Sequence, residues 1–184
     1  SQEKLILEKK DTEGLNLFVK SLNESLDLSS IMDKLINFLN ERYGLCYYVL
    51  GLVRDYEDIG ETVMIKMPPT FTEEELQYVL QMKVNLKGNN SAHAYSFKTN
   101  KPLYFSKVKP KGVTQEELYI INKAKIESFI IIPLNFQGKP IGTLDLWKDG
   151  KMNLQREDIT RLSILGEHLA GIINSSILFN EVQS

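Results

Sequence analysis

The stretch Glu127–Trp147, ESFIIIPLNFQGKPIGTLDLW, decides how this chain folds. Two apolar, β-branched runs, Ser128–Phe136 and Ile141–Trp147, flank Gln137-Gly138-Lys139-Pro140. A glycine in so short a connection between such runs predicts a β-hairpin. The first arm is almost wholly apolar, the pattern of a strand covered on both faces. Pro133 removes one ladder donor, so it belongs at a bulge or where its nitrogen faces no partner strand. The second arm divides by face: Ile141, Thr143, Asp145 and Trp147 alternate with Gly142, Leu144 and Leu146. One face is plainly for core. The other carries a hydroxyl, a carboxylate and an indole, the makings of a sheltered small-molecule pocket.

Downstream of the hairpin, Lys148–Met152 turns the chain into a long helix from about Gln155 to Val182. Leu162, Leu165, Leu169, Ile172 and Phe179 form one stripe on it, and Ile159, Ala170, Ile173 and Ile177 an adjacent one. Gly166 and Gly171 are small enough for close approach of another element. At roughly 28 residues the helix is about 42 Å long, more than a small domain needs. Two readings stand: a core helix with a frayed end, or a core helix whose far side meets a second subunit, through Ile159, Gly166, Ala170, Ile173 and Ile177, or continues as a coiled coil.

Upstream, Asp11 or Thr12 caps a first helix with the stripe Leu15, Phe18, Val19, Leu22 and Leu26, preceded by an apolar Leu5-Ile6-Leu7. A second helix starts near Ser29 and Ser30, turns Ile31, Met32, Leu35, Ile36 and Leu39 inward, and stops at Tyr43-Gly44. Leu45–Arg54 and Glu61–Met67 read as a second hairpin, turning through Asp55–Gly60 and stopped by Pro68-Pro69. Between the hairpins lies an irregular crossover. Thr72-x-x-Glu75 opens a short helix with Leu76, Val79, Leu80 and Lys83, and Leu86–Asn90 is a polar connection. Ser91–Thr99 is a short helix presenting Ala92, Tyr95 and Phe97, closed by Asn100, and Pro102 leads into a strand over Leu103–Ser106. Lys107–Gly112 is a basic loop, and Thr114-x-x-Glu117 is a second capping box for a helix that turns Leu118 and Ile121 inward. The pattern predicts an α+β fold: a central antiparallel sheet with the N- and C-terminal helices on one face and the α/strand crossover on the other.

Composition excludes several function classes. The chain has 184 residues, 42% hydrophobic and 25% charged, with a net charge of −2. That is an ordinary globular balance, with no electrostatic pull toward nucleic acid or an anionic membrane. Cys46 is the only cysteine, which rules out an intramolecular disulfide and any multi-cysteine metal site. In a strand it reads as a buried, inert thiol. No run of about 18 apolar residues exists, and the start is not a signal peptide, so the compartment reads as cytoplasmic. Ser1 in place of an initiator Met implies an excised piece of a longer protein. The two histidines, His93 and His168, have no H-E-x-x-H spacing around them, and no metal is expected. Neither a P-loop, a G-x-G-x-x-G nor a G-x-S-x-G elbow is present.

Nearly the whole chain, Leu15 to Phe179, resembles the GAF domain, the small-molecule-binding regulatory module of bacterial sensor proteins and cyclic-nucleotide phosphodiesterases. The resemblance rests on Ser128-Phe129-Ile130-Ile131-Ile132-Pro133-Leu134, Gly138, Ile141-Gly142-Thr143-Leu144 and the closing helix Ile159–Phe179. It rests also on Gly88, Ser91-Ala92-His93-Ala94, Asn100-Lys101-Pro102-Leu103, and the opening Leu26-Asp27-Leu28-Ser29-Ser30-Ile31. It implies residues 1–14 as an N-terminal helical extension or linker, 15–179 as the domain, and 180–184 as the start of a linker to an output domain in the same chain. Four departures set the chain apart, and between them they weaken three family activities. Ser106 stands where the strand after Lys-Pro usually ends in Asp, and the spaced Asn/Lys/Phe/Asp/Glu set of cyclic-nucleotide binders cannot be laid onto the chain. No cysteine in the crossover is available for a bilin, and Cys46 stands alone where sulfoxide-reducing members use several. The cofactor is therefore left open.

Asp145 is the leading single candidate, because a carboxylate between apolar neighbours needs a partner, protein or ligand. The alternative is that it sits at the solvent end of an edge strand. Thr143 and Trp147 share its face, and Tyr48, Ser91 and His93 are expected to converge there. The leading functional reading is a non-catalytic sensor module: a small ligand binds between sheet and crossover, and the terminal helices, paired in a homodimer, relay its state to the output domain. The rivals are a dimerisation module with a degenerate pocket and a small enzyme of the methionine sulfoxide reductase kind.

Overall fold

The computed structural model describes residues 2–24, 27–53, 58–88, 91–109 and 113–183, the side chains of 4–8, 11 and 176–183 excepted. Among these described residues, six helices and six strands follow in the order α1 (Gln2–Asn23), α2 (Leu28–Tyr43), β1 (Tyr47–Val53), β2 (Ile59–Lys66), α3 (Glu73–Leu80), β3 (Lys83–Asn85), α4 (Ala92–Thr99), β4 (Leu103–Phe105), α5 (Gln115–Lys123), β5 (Phe129–Phe136), β6 (Lys139–Trp147) and α6 (Arg156–Gln183). All six strands form one antiparallel sheet in the order β3-β2-β1-β6-β5-β4. The two hairpins lie side by side at its centre, and the crossover supplies both edges.

The decisive hairpin is tighter than its four-residue connection predicts. Gln137 and Gly138 both have positive φ, 51° and 82°, the mark of a two-residue turn whose twist matches that of the strands. Lys139 and Pro140 already belong to β6, opposite Phe136 and Asn135. Pro133 pairs with Thr143 beside the bulge at Leu134/Asn135. It lies beyond the last β5 residue that pairs with β4, so a lost donor costs little there.

Cross-strand register assigns the faces. Tyr47, Val49 and Gly51 of β1 stand opposite Trp147, Asp145 and Thr143. Leu50 and Leu144, with Leu146, Ile130 and Ile132, occupy the other face and are at most 3% exposed. Burial of each such side chain contributes about 1.5–3 kcal/mol. This second face packs on the helices. On α6 a Cβ built at Gly166 would lie 2.5 Å from Ile132 Cγ2, so helix and sheet meet at a distance that only glycine allows. The stripes read from the sequence hold: Ile31, Met32, Leu35, Ile36 and Leu39 of α2 and Leu162, Leu165, Leu169 and Ile172 of α6 are all buried. α2 is capped by Asp27 and ends at Gly44 with φ 74°.

Several expectations need correction. α1 runs through Asp11 and Thr12, because Gln2–Lys10 is rich in strong helix formers and neither residue interrupts them. α3 stops at Leu80, and Lys83 begins β3, an edge strand too short to show periodicity, paired with Ile59–Glu61 of β2. α4 buries His93, Ala94, Ser96 and Phe97, whereas Tyr95 faces solvent. No residue of α5 is fully buried. The second stripe of α6 is not a free surface: Ala170 and Ile173 are 0% exposed inside this chain's own core, Gly166 lies on β5, and Ile159 is half-buried against the core. The candidate interface made of them is thus largely used up by the chain itself. Leu5-Ile6-Leu7, Ile177 and Phe179 belong to the undescribed side chains, and Leu26, 54–57 and 110–112 lie outside the described residues.

Candidate functional site

The sheet face bearing Thr143, Asp145 and Trp147 is roofed by α4 and α5. α4 is set by its caps. Ser91 Oγ accepts from Ala94 N at 3.0 Å, and Asn100 closes the helix in the left-handed conformation at φ 56°. Ser96 Oγ donates to Lys101 O at 2.7 Å, which ties the helix to the chain entering β4. These constraints point His93 down onto the sheet. Its Nε2 lies 2.8 Å from both carboxylate oxygens of Asp145. On the other side of the ring, Nδ1 faces Glu117 Oε1 of α5 at 3.5 Å, an ion-pair distance without a hydrogen bond.

Glu117 is the residue the sequence misplaced. Thr114 caps α5 by accepting from Glu117 N at 3.1 Å, but the carboxylate does not close the box and turns to His93 instead. The first box, Thr72 with Glu75, is closed in both directions. Glu75 also reaches Lys123 Nζ of α5 at 2.7 Å, and that hydrogen bond, with the Thr72 backbone, holds its carboxyl down to about 2. Tyr78 and Tyr119 meet edge to face at 4.7 Å, so α3 and α5 are tied twice. A signal for Glu117 did exist: it heads the i, i+3, i+4 row Glu117, Ile120, Ile121, the face of α5 that looks at the sheet.

Charge follows from this geometry. Asp145 accepts from Nε2, and Glu117 presents an acceptor to Nδ1, so both ring nitrogens carry protons. Burial opposes the cation, but the Asp145 and Glu117 carboxylates outweigh it and hold His93 up to about 10. His93 is therefore a buried imidazolium between two carboxylates at neutral pH.

The bridge from His93 to Asp145 separates two hollows. One, of ≈ 40 Å³, is lined by Val49, His93, Glu117, Asp145 and Trp147 with Ile120, Ile121, Ile126 and Phe129. The other, of ≈ 30 Å³, lies between the bridge and Gly51, Glu61, Thr62, Leu86 and Thr143. A buried water needs about 10–15 Å³ on this measure, so the first has room for about three. Three buried polar atoms on its walls make no hydrogen bond: His93 Nδ1, Glu117 Oε1 and Trp147 Nε1. Groups of this kind mark a place where a water, an ion or a ligand completes the structure.

Of the candidates named from sequence, the structure brings His93, Thr143, Asp145 and Trp147 together. Ser91 is spent on capping α4. Tyr48 is a correction: it pairs with Leu146 on the opposite face and is 3% exposed against the helices. Burial, reinforced by the charge of Asp33 on α2, pushes its phenol up to about 12. One step along a strand reverses the face, and Tyr47 is the tyrosine on the roofed side, its ring 5.8 Å from that of Trp147. Cys46 is not among the residues lining either hollow. Among the described residues no group of three His, Cys, Asp or Glu could hold a metal ion, and no helix is long and apolar enough to cross a membrane.

No family model matches the sequence, and no curated protein matches it. Solved structures do. The GAF domain of a phosphoenolpyruvate-protein phosphotransferase from Coxiella burnetii is 14% identical with a TM-score of 0.70, covering 91% of this chain and 94% of that one. The GAF domain of a two-component sensor histidine kinase from Bacillus halodurans is 15% identical with a TM-score of 0.67, covering 85% and 99%. A free methionine-R-sulfoxide reductase from Neisseria meningitidis, solved with its substrate, is 16% identical with a TM-score of 0.64, covering 89% and 88%. With one antiparallel sheet, helices α1, α2 and α6 on one face and a roofed hollow on the other, the chain has the GAF-domain fold.

Proposed function

We propose that this chain is a sensor module that binds a small ligand in the hollow under α4 and α5 and passes its state through α1 and α6 to an output domain. The observation that carries this reading is the trio of buried polar atoms without a hydrogen bond on His93, Glu117 and Trp147, three residues that line one apolar-walled hollow. A pocket needs this combination: apolar walls for affinity and a few convergent polar groups for orientation. The roof is suited to respond. α5 contributes no fully buried residue and is held by half-buried side chains such as Ile120, by ion pairs and by one aromatic contact, so a ligand that engages Glu117 alters part of what holds the helix down. A ligand shifts such an equilibrium only by its differential affinity for the two arrangements, and Glu117 is where that difference arises.

The solved relatives include GAF domains from a histidine kinase and a phosphotransferase, which supports a regulatory role within a multidomain protein. The resemblance to a sulfoxide reductase has less to stand on, since Cys46 lies at the head of β1 away from both hollows. Pairing of two chains belongs to the same proposal, but through exposed positions such as Leu17 of α1 and Ile164 of α6, 71% and 41% exposed, rather than through the buried Gly166, Ala170 and Ile173. The test is thermal unfolding of the chain across a library of nucleotides, amino acids and small metabolites. A compound that raises the midpoint in wild type but not in Trp147→Phe supports the reading. No shift with any compound refutes it.

A further inference from the structure

Resting on that reading, we infer that the hollow takes an uncharged, amide-like group, one carbonyl acceptor joined to an N–H donor, rather than an anion or a cation. His93 and Trp147 are 7% and 2% exposed, and both line the hollow with one buried N–H that makes no hydrogen bond, as Glu117 does with one carboxylate oxygen. Two donors and one acceptor are complemented by a group that both accepts and donates. An anion gains the two donors but meets Glu117 with Asp145 behind it, two carboxylates against one imidazolium. A cation gains the carboxylate but meets the two N–H groups and the His93 imidazolium, whose Nδ1 lies 3.5 Å from Glu117. A neutral amide leaves none of the three atoms unsatisfied, and an unsatisfied buried polar atom is the costly outcome. Ile120, Ile121, Ile126 and Phe129 supply an apolar wall for the substituent. The ≈ 40 Å³ of space admits a group of about three or four heavy atoms before the roof moves, which is the amide unit itself. A longer ligand enters only by lifting α5, so recognition and response share one helix.

The chain carries its own reporter, because Trp147 is its only tryptophan and gives a single indole N–H resonance. The experiment titrates ¹⁵N-labelled protein with acetamide, acetate and acetamidinium, three molecules of one shape and different charge. Acetamide is expected to move the indole resonance downfield with saturation in about the millimolar range, the affinity a fragment of so few atoms reaches. Glu117→Gln is expected to weaken that binding about tenfold, the loss of a hydrogen bond to a charged acceptor. Acetate and acetamidinium are expected to give no saturable shift. Cross-relaxation from the acetamide methyl to the Ile120, Ile121 or Ile126 methyls locates the site without depending on any variant. Saturable binding of either ion as tight as acetamide overturns the inference while leaving the sensor reading standing. A linear, non-saturating response to all three also overturns it and assigns the hollow to water; only a library screen without any hit removes the sensor reading itself.

Discussion

Replacing Asp145 by Asn tests the buried ion pair through the pH dependence of stability. The amide keeps the size of the carboxylate and still accepts a hydrogen bond from His93 Nε2, but the charge that offsets burial of the imidazolium is gone. Breaking a buried pair by removing one partner costs about 3–5 kcal/mol, and Asp145 is partly exposed, so about 3 kcal/mol at neutral pH is the expected loss. The sign of the pH dependence follows from the direction of the shift. His93 binds its proton more tightly folded, up to about 10 against an ordinary 6.5, so the stabilisation is full below 6.5 and is lost as pH rises toward 10. Over that window one proton makes stability fall by about 1.4 kcal/mol per pH unit. Asp145 from β6 and Glu117 from α5 are the charged groups facing the ring, and Glu61 of β2 lines the adjoining hollow. Urea unfolding followed by Trp147 fluorescence, for wild type and Asp145→Asn at about pH 7, 8 and 9, reads the difference directly. Every other titrating group is common to both proteins and cancels. The gap is predicted to close by about 2–3 kcal/mol from pH 7 to pH 9. A gap of constant size across that range refutes a buried imidazolium.

Gly166→Ala improves helix propensity by about 1 kcal/mol but puts a methyl 2.5 Å from Ile132 Cγ2, a branched methyl locked in the core, so a net loss of about 1–2 kcal/mol is expected by urea unfolding. Gly142→Ala is worse, since its Cβ would collide with the Gly51 carbonyl oxygen across β1–β6; loss of cooperative unfolding or a poorly dispersed NMR spectrum is the expected readout. Ser91→Ala removes the cap that aims His93, costing about 1 kcal/mol and reducing the pH dependence described above. Ile173→Glu buries an unpaired charge in the core and is expected to unfold the chain at any concentration, so a normal, folded monomer would overturn the core assignment.

The parts of the fold legible in the sequence are those where periodicity runs long enough to be unambiguous. The α2 stripe and the alternation along β6 both specify their buried faces, and together they fix which side of the sheet is roofed. β3 escaped because three residues carry no period. Tyr48 was misplaced because β1 reads YYVLGLV, apolar on both faces, and alternation cannot choose between adjacent tyrosines. Register against Leu146 does. Gly166, Ala170 and Ile173 look surplus on a helical wheel only if one face of α6 is assumed to be wet. In the fold α6 packs against β5 and also contacts α1, so a wider sector is covered. Glu117 was hidden by a stronger local pattern: the capping box explains a Glu three residues after Thr, and only the tertiary contact with His93 shows that its carboxylate goes elsewhere.

The most direct test is the protonation state of the His93 ring itself, read from its two ¹⁵N shifts by long-range proton–nitrogen correlation. Both His93 nitrogens are predicted to stay protonated from about pH 6 to about pH 9. A His93 ring that loses a proton near neutrality would mean that Asp145 and Glu117 do not enclose it, and the roofed, charged hollow would fall with it.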